Sequence, residues 1–216
     1  SFGTFAFESG GAFLLASSSL ISTIDGYENY IQVHGVDETV ISAYVEACSV
    51  AMNGEKDIDY GLKLTARAKE LIESYCMNQT GGAIWDLEKY AFKNKKSYEL
   101  IDTFYKVLLL EAQNKVVDSF FRYIEKKREP QERFYMPRRK QFLKIGLIDA
   151  LQGMIDDKYD ILCISLIPGA GKTTIEKFFN AAVIGWYPRD FNLFYSHSGD
   201  ITRMYYDGMY DIVTNS

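Results

Sequence analysis

The chain has 216 residues, of which 47% are hydrophobic, 15% aromatic and 25% charged, and it carries a net charge of −5. These proportions exclude whole-chain disorder and a bulk polycation, so any contact with nucleic acid has to come from a local patch. The cysteines Cys48, Cys76 and Cys163 are scattered and the histidines His34 and His197 lie far apart, which argues against a disulfide scaffold and a His-rich metal centre and suits a reducing compartment.

Residues 1–35 are rich in Gly, Ser and Phe and give no clear element. Their apolar Ala12–Ala16 stretch is too short, and lacks a preceding basic residue, for a signal peptide. No apolar run in the chain approaches the roughly 18 residues of a membrane helix. Asp37 reads as the N-cap of a helix through about Met52, closed by Asn53–Gly54. A second helix is predicted over Tyr60–Met77, ending before Gly81–Gly82, and a shorter third over Ala83–Phe92. Ile101, Phe104, Leu108, Ala112, Val116, Phe120 and Ile124 recur three or four apart. They predict one long helix from near Ser97 to before Pro130, with this stripe in the core and Glu125–Glu129 as its solvated end. An amphipathic helix follows over about Lys140–Met154, closed by Asp156–Asp157. Ile161–Leu166 then reads as a buried parallel strand, broken by Pro168–Gly171. A helix over Thr173–Ile184 ends at Gly185 and Pro188. Phe191–Tyr195 reads as a second strand and Ile201–Val213 as a last helix, which completes a βαβ order.

The chemistry concentrates at Pro168-Gly169-Ala170-Gly171-Lys172-Thr173-Thr174. Glycines let successive backbone N–H groups face a polyphosphate, and the N-terminus of the next helix adds partial positive charge. Lys172 would reach the β- and γ-phosphates of ATP, and the Thr173 hydroxyl would ligate Mg²⁺. The full G-x-x-x-x-G-K-[ST] pattern has its first Gly where this chain has Leu166, so a plain Gly-rich strand–helix turn stays open beside the nucleotide loop. The predicted fold class is therefore α/β, a P-loop NTPase segment with a parallel sheet over 131–216, preceded by a mostly α-helical region over 1–130. No strand ending in paired acids follows Thr174, so the carboxylates that hydrolysis needs are expected beyond Ser216. A start at Ser1 rather than Met points the same way, to a truncated chain.

Between Arg122 and Lys144 stand nine basic residues against three acids. This is either a DNA- or nucleotide-facing segment or a solvated helix end. His197 follows the second predicted strand and reads as a γ-phosphate sensor or as a loop histidine with a structural hydrogen bond. Arg189 and Arg203 are candidates for transition-state charge stabilisation, or ordinary surface residues. Trp85 and Trp186 read as core or groove residues. Asn78-Gln79-Thr80 matches a glycosylation acceptor, discarded for want of a secretory signal.

Phe134–Gln141, Leu166–Thr174, Gly185-Trp186-Tyr187-Pro188 and Tyr195-Ser196-His197-Ser198 together resemble the large terminase subunit of tailed bacteriophages, over about Phe134–Val213. That family often carries a Pro-Pro-Gly-x-Gly-Lys type of loop without the first Gly, so Leu166 suits it. The resemblance implies an ATPase motor that packages double-stranded DNA into a procapsid in the host cytoplasm, with ATP and Mg²⁺ as cofactors. It further implies the portal protein and the small terminase subunit as partners, and a homo-oligomeric ring. It implies nucleotide contacts from Gly169, Ala170, Gly171, Lys172, Thr173 and Thr174, with Lys172 catalytic. Arg139 and Gln141 fall where the family places its adenine-binding segment. The family's Walker B acids and nuclease carboxylates have no counterpart here. Another P-loop ATPase, helicase-like or AAA-type, and a non-catalytic assembly protein with a remnant loop are the alternatives.

Overall fold

Local signals and tertiary packing together decide where these helices start and stop. The computed structural model describes residues 10–54, 58–81, 95–196 and 198–215. The predicted helix over Ala83–Phe92, Trp85 and His197 lie outside them. The helices are α1 (Gly10–His34), α2 (Glu38–Gly54), α3 (Ile58–Thr80), α4 (Lys95–Gln113), α5 (Val117–Tyr123), α6 (Tyr135–Lys144), α7 (Leu147–Ile155), α8 (Lys172–Trp186) and α9 (Gly199–Asn215). A 3-10 turn at Pro130–Glu132 precedes α6. The chain divides into two compact units, Ser1–Leu110 and Glu111–Ser216. The sequence reading divides it near residue 130.

In the first unit the Asp37 carboxylate caps α2 by accepting the Val40 N–H at 2.8 Å. That satisfies one of the orphan donors at the helix start. Helices α2 and α3 pack on one another, and Ile41, Tyr44, Cys48, Leu64, Ala68 and Ile72 along them are buried. Arg67 of α3 donates from Nε and Nη2 to Glu28 of α1, both at 3.0 Å. This fork and the Tyr44 hydroxyl, also bonded to Glu28 at 3.2 Å, set the approach of α1. Residues 10–34, unassigned from sequence, are helical.

In the second unit the single long helix expected over Ser97–Pro130 breaks in two. Lys115 takes φ +66°. Its N–H donates to Ala112 O at 3.1 Å, and that of Val116 to Glu111 O at 3.1 Å, the pattern of a helix ending in a left-handed residue. Gln152 of α7 seals the gap: its Oε1 accepts the Val117 N–H at 2.9 Å, and its Nε2 donates to Lys115 O at 3.1 Å. The break moves the apolar stripe by one position, so Val117 and Phe121 are buried where Val116 and Phe120 were expected. The helix expected over Lys140–Met154 also divides, at Gly146 (φ +72°), and its first half starts earlier, at Tyr135. Pro137 is tolerated because it stands in the first turn, where its missing N–H would have no intrahelical acceptor.

The α/β fold class does not hold. No β-strand, and hence no parallel sheet, is present among the described residues; the fold is all-helical. The two runs read as strands lie singly against helices. In the first, Leu162, Ile164 and Leu166 pack on the core, while Ile161 and Ile167 are 81% and 76% exposed. In the second, Phe194 stacks on Tyr205 with ring centroids 3.7 Å apart, while Phe191, Leu193 and Tyr195 are exposed. Burial alternates along the first run as in a strand, but a strand needs a hydrogen-bonded neighbour, and apolar content alone cannot supply one. What survives of the βαβ reading is its centre, the turn at 168–171 leading into α8.

Candidate functional site

The turn is built by two left-handed glycines. Gly169 and Gly171 adopt φ +81° and +89°, a region that costs a residue with a Cβ roughly 1–2 kcal/mol. The Ala170 N–H donates back to Ile167 O at 3.2 Å, closing the bend. Gly171 then stands just ahead of α8, and its carbonyl accepts the N–H groups of Thr174 and Ile175 at 3.1 and 3.0 Å. The amides of Lys172 and Thr173, in the first turn, have no intrahelical acceptor. Ile175 and Phe178, both buried, fasten α8 to the core, so the direction of those amides is fixed by packing. Lys172 and Thr173 are exposed, and among the described residues the Lys172 ammonium has no hydrogen-bond or ion-pair partner.

One wall of the loop is Phe134. A Cβ placed on Gly171 would fall on its ring, so at this position both the backbone angle and the space call for glycine. The same ring packs edge-on to Phe178 at 5.9 Å and lies 6.2 Å from Phe142. The Arg138 guanidinium sits 4.6 Å over it, and its Nη1 donates to Phe134 O at 3.0 Å. Beneath lies Glu125, expected at a solvated helix end yet fully buried. Its carboxylate accepts the N–H groups of Phe134 at 2.6 Å, Tyr135 at 3.0 Å and Met136 at 3.1 Å, so a negative charge occupies the start of α6. Nothing in the sequence around Glu125 marks this role, because its partners come nine to eleven residues later.

The structure separates the remaining sequence candidates. Arg139 is committed to Asp118 by two hydrogen bonds of 2.7 Å each, and the Tyr135 hydroxyl donates to the same carboxylate. Burial opposes the charge on Asp118, but the Arg139 and Tyr135 contacts outweigh it and hold the carboxyl below the usual aspartate range. Burial first, and then the Asp118 charge, push the Tyr135 phenol far up. Gln141 is exposed on α6. Within the basic segment Arg122 and Arg133 are buried, and Arg133 donates to the carbonyls of Arg128 and Lys126. Lys126, Lys127, Arg138, Lys140 and Lys144 form its exposed part, and Arg189 and Arg203 are exposed elsewhere. Trp186 donates from Nε1 to Ala112 O at 2.8 Å, a packing role.

Among the described residues no group of three or more His, Cys, Asp or Glu side chains surrounds a common metal position. No helix among them is long and apolar enough to cross a membrane. No protein-family model, curated protein or solved structure matches the chain.

Proposed function

We propose that residues 168–174 bind the phosphates of Mg-ATP and that the chain belongs to an ATPase motor that packages double-stranded DNA, of the kind its likeness to phage large terminases implies. The observation that carries the nucleotide reading is the conjunction at one turn of two left-handed glycines, two amides without helical acceptors, and an ammonium group without a partner among the described residues. An exposed ammonium beside a helix N-terminus, with no carboxylate neutralising it among the described residues, suits an anion of several charges. Glycine freedom would let the backbone approach the phosphates, Lys172 would place its charge on the β- and γ-phosphates, and the Thr173 hydroxyl would hold the metal ion. A magnesium ion held there would neutralise phosphate charge. The motor reading rests on the four resembling segments, and the portal protein, small subunit and ring assembly belong to it.

Calorimetric titration with Mg-ATP tests the nucleotide reading. The chain binds, and Lys172→Ala weakens binding at least about tenfold, the effect of losing one charge-assisted contact. Negligible binding by both proteins would instead favour a remnant loop in an assembly protein.

A further inference from the structure

The loop glycines are soft by themselves, since glycine visits left-handed and right-handed backbone almost equally. Something else has to hold Gly171 at φ +89°, and the contact is the Phe134 ring, which occupies the face where a side chain on Gly171 would project. That ring is itself doubly held. Its backbone N–H is the shortest of the bonds given to the buried Glu125 carboxylate, 2.6 Å, and the ring packs edge-to-face with Phe178. From these contacts we infer that Phe134 is a positioning residue for the phosphate loop: pinned by Glu125, it fixes Gly171 so that the Lys172 and Thr173 amides converge before a polyphosphate arrives. Holding the donors in place beforehand removes an ordering cost from binding. The role of Phe134 deepens the nucleotide reading and rests on it for the identity of the ligand, though not for the loop geometry.

The test compares Phe134→Leu with Phe142→Leu. Both remove a ring from the same aromatic cluster, but the atoms nearest Gly171 belong to Phe134 alone. The first readout needs no ligand. Thr174 and Ile175 donate their amides to Gly171 O, so their hydrogen exchange reports how firmly that residue is held. Relative to Ala182 in the middle of α8, these two amides exchange about fivefold faster in Phe134→Leu and unchanged in Phe142→Leu. The second readout is Mg-ATP affinity, about tenfold weaker in Phe134→Leu and within about twofold of the parent in Phe142→Leu. If Phe134→Leu does not fold, Phe134→Met carries the same comparison. Equal effects of the two leucine variants, or unchanged exchange in the Phe134 variant, would overturn the inference. A selective exchange effect in a protein that binds no Mg-ATP supports the positioning role and refutes the nucleotide reading.

Discussion

Replacing Asp118 by Asn keeps the shape of the side chain and removes its charge, which isolates the ion pair between α5 and α6. In the folded chain this carboxylate receives two bonds of 2.7 Å from Arg139 and a third from Tyr135. The side chains of Asp118 and Arg139 are 16% and 30% exposed. Breaking a fully buried pair costs about 3–5 kcal/mol, and partial screening at Arg139 lowers this to about 2–3 kcal/mol. With a urea dependence of about 1–3 kcal/mol per molar, the unfolding midpoint should fall by about 1–2 M at pH 7. The sign of the pH dependence follows from the depressed carboxyl. Its stabilisation is complete above the unfolded aspartate value near about 3.9 and is lost as pH falls toward the folded value. Urea unfolding of both proteins from pH 7 to pH 3 should therefore show a constant gap down to about pH 4, then one that closes by about 1.4 kcal/mol per unit. A gap that stays at its neutral value to pH 3, or no gap at pH 7, would refute the reasoning.

Two further substitutions probe the loop and the helix break. Gly171→Ala should lower stability by more than Gly169→Ala, because both incur the left-handed cost of about 1–2 kcal/mol but only the first drives a Cβ into a ring; thermal midpoints of the two variants make the comparison, and equal losses would contradict it. Gln152→Ala should cost about 1–3 kcal/mol by leaving Val117 N–H and Lys115 O without their side-chain partner; a thermal midpoint within error of the parent would mean that the α4–α5 break holds itself.

Signals confined to a few neighbouring residues were legible in the sequence. The Asp37 cap lies three residues from the N–H whose hydrogen bond it accepts, and the glycines and lysine of 168–172 announce a turn into a helix wherever they occur. Features whose partners come from elsewhere were not. The helix break at Lys115 uses a lysine where glycine is usual and borrows its seal from Gln152. Its stripe of apolar residues continues across the break with only a one-residue shift, which a helical period does not reveal. Ile161–Leu166 has the composition of a buried strand, yet the same composition serves a chain segment lying one-sided on helices. Charge was the least readable quantity. Glu125 and Arg139 look like surface residues in a basic segment, and only the fold shows that one is enclosed by backbone amides and the other bound to Asp118.

The most direct test of the proposal that residues 168–174 bind phosphate is a titration of the isotopically labelled chain with Mg-ATP, following backbone amide resonances. Binding at the loop predicts that the largest shifts fall on Gly169–Thr174 and that Lys172→Ala strongly reduces them at a subsaturating ligand concentration. Shifts confined to the exposed lysines of 126–144, or none at all, would contradict it.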